Sequence, residues 1–376
     1  MKQKILNNLK NIYGWKTERK IVVFSVDDYG SVRLDSKKAR ENMDKLGFKA
    51  ISPTFDNLDT LESKEDLEIL FETLSSVKDK NDNHAVFTPF ALPCNIDFEA
   101  MEKEEYTRYI YELLPETYKK LSIKDPKAYD GTWELWQEGL EKGLVRPQFH
   151  GREHFNLKVF EEDLINKNPE LIVALQNRSY TGISNKFHSY IKRSASFDFW
   201  KFKENETFKE VISDGLNQFE SVFGYRATQF NPPGGQAHSF IYKFLKDSGI
   251  KFIDVPLINK EHQGEGNFKK YFNYTGKINE LGMLYQVRNA VFEPINNWDI
   301  DWINFTINQI ETSFFWHRPA IISSHRVNFC GYVDPKNRKK GISALKELLK
   351  KIVNKWPDVE FMSSDELGEL IIDSRQ

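Results

Sequence analysis

Lys20-Ile21-Val22-Val23-Phe24-Ser25-Val26-Asp27-Asp28-Tyr29-Gly30 reads as a strand that runs into two carboxylates and a turn. The run from Lys20 to Val26 is β-branched and aromatic, the composition of a strand buried on both faces. Similar runs recur along the chain. His84 to Pro89, Val145 to Phe149, Ser194 to Trp200, Ala227 to Phe230, Lys251 to Val255, Tyr285 to Phe292, Ala320 to Ser324 and Val359 to Met362 all read as strands.

Amphipathic segments separate them. Helices are expected from Asp35 or Ser36 to Leu46, Ser63 to Val77, Asp130 to Lys142, Asn205 to Phe223, Ala237 to Ser248, Ile300 to Phe315 and Lys336 to Asn354. Two longer ones are expected over Met101 to Leu121, kinked at Pro115, and over Leu157 to Gln176. Alternating strand and helix predict an α/β fold with a parallel sheet, open or closed into a barrel. No Gly/Ser-rich linker divides the chain. Residues 20–371 are expected to form one domain behind a helical lead-in over residues 1–19. Residues 90–143 are expected to insert over one face, between the second and third strands.

The 376 residues carry a formal net charge of -2, so nothing argues for a nucleic-acid partner. Aromatic residues reach 14%; such rings pack cores and also stack on sugar faces. Cys94 and Cys330 are the only cysteines, which gives no disulfide framework and fits a reducing compartment. The first 16 residues are basic, with apolar positions interrupted by Asn and Lys. They lack the apolar core of a signal peptide, and no run approaches the length of a membrane span. A cytoplasmic protein with no integral membrane segment is expected. Oligomeric state is not legible.

In a parallel α/β sheet the C-terminal strand ends share one face, and active sites collect there. Four strand ends carry ligand-type residues. They are Asp27-Asp28, His150-Gly151-Arg152-Glu153-His154, Asn231-Pro232-Pro233-Gly234-Gly235 and His325-Arg326. Each taken singly fits an ordinary turn. Their recurrence at the same end of successive strands is what points to a site, and imidazole is the commonest metal ligand.

The ordered set resembles the polysaccharide deacetylase family, with its NodB-type homology domain, over about residues 20–371. Ser25-Val26-Asp27-Asp28-Tyr29-Gly30 is similar to that family's T-F-D-D-G. His150 to His154 matches its H-x-x-x-H; Phe230 to Gly235 is similar to its R-x-P-P-Y-G, and Ile322 to His325 to its Leu-x-His, with Ser323 in the leucine's place. The resemblance implies a distorted (β/α)7 barrel and removal of an acetyl group from a sugar or polysaccharide intermediate. It implies one divalent metal ion, zinc first, on Asp28, His150 and His154. Asp27 would be the general base and His325 the general acid. Asn231, Pro232, Arg152 and Arg326 would contact substrate or oxyanion. The family's arginine is replaced by Asn231, so another cation is expected beside Asp27. Arg326 and Arg152 come first and Arg288 third. Tyr106, Tyr109, Tyr111, Trp133 and Trp136 of the insertion either cover the sugar or pack the insertion onto the barrel. Three other readings remain: a barrel that binds glycans without turnover, a hydrolase of a small non-sugar amide, and an H-x-x-E-H zinc peptidase. The last requires a helix with Glu153 as base.

Overall fold

The computed structural model describes residues 2–184 and 190–375. Nine strands make its main sheet among these residues: β1 Lys20–Tyr29, β2 Phe87–Ala91, β3 Gln148–Phe149, β4 Gln229–Phe230, β5 Phe252–Asp254, β6 Leu284–Gln286, β7 Ala290–Val291, β8 Ala320–His325 and β9 Val359–Phe361. All pairings are parallel. The order is β6-β5-β4-β3-β2-β1-β8-β7, with β9 on the N-terminal end of β1. The two ends of that order are consecutive in the chain. The sheet therefore curls into a ring of seven staves, the sixth of which is split. Its first half, β6, pairs with β5 and its second half, β7, with β8. This is the distorted (β/α)7 barrel that the resemblance implied.

The split has a cost that side chains meet, because buried backbone groups need partners. Only Val287, Arg288 and Asn289 separate β6 from β7. The Val287 amide donates to Thr275 Oγ1 at 3.0 Å. Asn289 Oδ1 accepts from the Ile321 amide, and its Nδ2 donates to the Pro319 carbonyl.

Strand alternation sorts side chains between the barrel interior and the helical shell. Ile21, Val23, Phe252, Leu284 and Ile321 form an apolar floor, sealed by Leu367 and Ile371 of the last helix, Ser364–Asp373. Above it lies a polar layer: the Ser364 amide donates to Thr88 Oγ1, and Gln286 exchanges hydrogen bonds with Ser364. The same alternation brings Asp27, Asp254 and His325 to the top. The outward positions, among them Val22, Phe24 and Ile322, join the large core beneath the helices.

Several local expectations are corrected. Residues 101–121 are not one kinked helix: Phe98–Lys103, strand Tyr111–Leu113 and helix Leu114–Lys124 follow each other. Pro115 sits in the first turn of the last of these, where its missing N–H costs nothing. Residues 157–176 form two helices, Leu157–Ile165 and Pro169–Gln176, with Pro169 again opening the second. Residues 194–200 form no strand, only an isolated bridge from Phe197 to Ala237. A hairpin of Ile258–Gly264 with Asn267–Phe272 was not foreseen. Trp136, Tyr118 and Tyr129 of the insertion are buried, so its rings pack it onto the barrel.

Gly368 lets the last helix close the barrel floor, since a Cβ there would lie 2.7 Å from the Phe252 ring. Gly368→Val should lower unfolding stability by about 1–3 kcal/mol through overpacking, read as a lower urea midpoint. An unchanged midpoint would mean that the floor is not sealed at this contact.

Candidate active site

Alternation alone would send Asp28 outward, on the side of Val22, Phe24 and Val26. A bulge prevents this. The register between β1 and β2 shifts between Val26 and Tyr29, and Asp28 takes φ 76°, a left-handed conformation rare for a non-glycine residue. Both carboxylates therefore line one pocket of about 1280 Å³ at the C-terminal ends of the staves. Gly30 completes the turn at φ 78°, where a Cβ would stand 2.6 Å from the Leu92 carbonyl.

Asp28, His150 and His154 come together, each offering a ligand atom within 4.8 Å of the others. His154 Nε2 is 2.9 Å from Asp28 Oδ1, and His150 Nε2 is 3.4 Å from the same oxygen. His150 Nδ1 lies 2.8 Å from the Asn231 carbonyl. A carbonyl only accepts, so Nδ1 carries the proton and Nε2 presents its lone pair. That buried Nε2 has no hydrogen-bond partner. An imidazole anchored through one nitrogen and unsatisfied at the other, beside a carboxylate, fits a divalent ion. Burial lowers the His154 pKa, against the opposing pull of Asp28, which favours the neutral ligand form.

Asp27 belongs to a second network. Its carboxylate accepts both terminal nitrogens of Arg288 at 2.7 Å and Asn231 Nδ2 at 2.7 Å. Burial pushes its pKa up, but the charge and hydrogen bonds of Arg288 outweigh that, and the net shift is downward. Arg288 also donates through Nε to Asp254 at 2.8 Å, and Asp254 accepts from Gln229. The cation expected beside Asp27 is thus Arg288. The expectation that put Arg326 and Arg152 first is corrected. Arg152 is engaged by Glu153 and Asp214 and lies over the Tyr111 ring. Arg326 is buried among Asp59, Glu62 and the Ser31 carbonyl. Neither guanidinium lines the pocket, whereas Asn231 and Pro232 do.

His325 faces Asp27 from the other side, with Nε2 3.9 Å from Oδ2. Its Nδ1 donates to Glu293 at 2.6 Å, and Asn328 holds the other oxygen of Glu293. Burial alone would lower the His325 pKa, but Glu293 outweighs it and raises it to about 10. Glu293, Asp254 and Asn328 were not singled out in the sequence. Asp254 inside Lys251 to Val255 and Glu293 just after Phe292 obey the strand-end rule that flagged the others.

The segment His150 to His154 is not helical, and Gly151 takes φ 96°. Glu153 accepts two hydrogen bonds from Arg152. The helix and free base of an H-x-x-E-H peptidase are both missing, so that reading falls. From the insertion, Cys94, Asn95 and Ile96 line the pocket, while Tyr106, Tyr109, Tyr111, Trp133 and Trp136 do not.

No protein-family model matches this chain, and no curated protein matches it. Solved structures with a similar chain course include a Pseudomonas aeruginosa PAO1 protein described as a probable polysaccharide deacetylase. It shares 9% identity at a TM-score of 0.46, covering 94% of this chain and 91% of that one. PuuE allantoinase is similar at 9% identity and TM-score 0.45, with the same two coverages. The 4-alpha-glucanotransferase of Thermococcus litoralis is similar at 11% and 0.47, over 93% of this chain and 40% of its own. At these TM-scores the chemistry rests on the residues themselves.

Purified protein should hold about one divalent ion per chain through Asp28, His150 and His154. His150→Ala should lose it on dialysis while the folded state persists. Equal metal in both proteins by elemental analysis would exclude these ligands.

Proposed function

We propose that the protein is a metal-dependent hydrolase that removes an acetyl group from a sugar or polysaccharide intermediate, with zinc as the first candidate ion. The observation that supports this best is the pairing of two devices in one pocket. An Asp-His-His cluster sits beside a carboxylate, Asp27, held ionised by Arg288, and faces an imidazolium, His325, held charged by Glu293.

When bound, the ion supplies a Lewis acid for the acetyl carbonyl and a water of lowered pKa. The chain's own groups handle the protons. Asp27 takes the proton of the attacking water as general base. His325 Nε2 gives a proton to the departing amine or alkoxide as the bond to the acetyl carbon breaks. Asn231 ties the two halves together, since its carbonyl orients His150 and its amide orients Asp27. Asn231 in place of an arginine had suggested a barrel that binds without turnover. Arg288 supplies the missing charge, which favours the catalytic reading. Arg152 and Arg326 serve as scaffold in this proposal, and Pro232 shapes the pocket wall.

Acetate release from acetylated sugars tests the reaction. Asp27→Asn should lower turnover by about 10²–10⁴-fold and keep the metal. If wild type and Asp27→Asn are equally inert on a broad panel yet bind glycan equally, the binding reading replaces this one.

The His325–Glu293 pair gives a pH signature. His325 should keep its proton until pH approaches about 10, so the acid form fails only as pH rises through that value. Glu293→Gln removes the largest factor raising this pKa. The alkaline limb of the kcat/KM profile should then move toward neutrality, and NMR titration of the ring should shift with it. An unmoved limb would assign the general acid elsewhere.

A further inference from the structure

The N-terminal helix, Lys2–Asn11, is inside out. A surface helix normally turns its apolar stripe toward the core. Here Asn7 and Asn11 are buried, while Ile5, Leu6 and Leu9 are 54%, 42% and 51% exposed. The rotation is fixed by hydrogen bonds on the polar side. Asn289 Nδ2 donates to Asn11 Oδ1, Asn11 Nδ2 to the Asn7 carbonyl, and Trp316 Nε1 to Asn8 Oδ1. Arg318 clasps the carbonyls of Asn11 and Ile12. Turning the apolar stripe inward would break the bonds to Asn289 and Trp316, which reach the helix from outside it. Asn289 lies in the gap between β6 and β7, so the helix orientation is tied to the split stave.

The exposed stripe continues beyond the helix. Tyr13, 60% exposed, packs edge-on against Phe272 at 5.3 Å. Phe272 pairs across the hairpin with Ile258, and Phe268 stands exposed further along the same outer strand. Lysines lie among these apolar positions. Residues 1–19 carry five Lys or Arg against one Glu, and strand Asn267–Phe272 contributes Lys269 and Lys270 with no acid. The chain as a whole is slightly acidic, so this face is locally basic.

We infer that this face docks on an anionic lipid surface, with Ile5, Leu6, Leu9, Tyr13, Phe268 and Phe272 entering the interface and the lysines meeting its headgroups. Exposed apolar residues flanked by Lys are the pattern of a helix lying in a membrane plane. A second copy of the chain fits less well, because a self-contact would set basic face against basic face. Lys10 and Ile258 also line the pocket described above, so docking would bring the pocket mouth to the lipid surface. The inference does not rest on the hydrolase reading.

Cosedimentation of the full chain with vesicles tests it. Wild type should pellet with phosphatidylcholine vesicles containing phosphatidylglycerol, and about tenfold less with phosphatidylcholine alone or at high salt. Ile5→Asp combined with Leu9→Asp should abolish pelleting without moving the thermal melt, because both side chains are exposed. Lys4→Glu combined with Lys270→Glu should weaken it about tenfold or more. Three outcomes would overturn the inference. Wild type fails to pellet, the Ile5→Asp/Leu9→Asp protein pellets like wild type, or light scattering shows a dimer that the same pair of substitutions dissociates.

Discussion

One guanidinium, that of Arg288, lies between two buried carboxylates, Asp27 and Asp254, and the site is built outward from that contact. A buried charge triad is tolerated only when every member is paired and hydrogen-bonded. Arg288 meets that condition with donors to both acids and a further contact to Ser323. Gln229 donates to the remaining oxygen of Asp254, and Asn231 adds a second hydrogen bond to Asp27 Oδ1. Removing the cation would leave two acids facing each other without compensation. The position of the Asp27 carboxylate therefore follows from the position of this arginine.

Arg288 occupies that position because the barrel wall is broken. In a continuous sixth stave, residues 287–289 would be locked into ladder pairing with a neighbour. The split frees them, and each finds a different use. Val287 is satisfied by Thr275, Arg288 reaches Asp27, and Asn289 ties β8 to the N-terminal helix. A second irregularity lies two staves away, beyond β8, the bulge that turns Asp28 inward. The two defects in an otherwise regular wall lie at the two carboxylates, as expected where backbone strain is held for function.

Most barrel strands were legible because parallel strands buried on both faces read as apolar runs, and K-I-V-V-F-S-V is such a run. The ends of those runs exposed Asp27, Asp28, His150, His154, Asn231 and His325. The choice of arginine was not legible. Arg152 and Arg326 adjoin motif residues in sequence, and adjacency was the available criterion. The structure uses a different one, side-chain direction: Arg288 follows Leu284 and Gln286 in strand parity and so faces the interior. Arg326 immediately follows inward-facing His325 and turns the other way, into Asp59 and Glu62. The helix errors share one feature. Pro115 was read as a kink and Pro169 was passed over, when each lies in the first turn of a new helix.

Charge completes the account of why this pocket suits a divalent ion. With all ionised, Asp27, Asp28, Asp254 and Glu293 contribute four negative charges. Arg288 and protonated His325 return two, and the nearby Arg33 is already paired with Asp59. Two negative charges are thus left over in a buried space, where an isolated ion is far costlier than in water. Protonating an acid would relieve this, and burial does push the Asp254 pKa up, but Arg288 holds Asp27 ionised and His154, with Nε2 2.9 Å from Oδ1, does the same for Asp28. The excess is concentrated at Asp28, the one acid of the four whose neighbours are two imidazoles rather than a fixed cation. A dication bound there balances the pocket without disturbing the Asp27–Arg288 contact. The split stave and the bulge place the excess charge and the Asp28, His150 and His154 cluster at the same point.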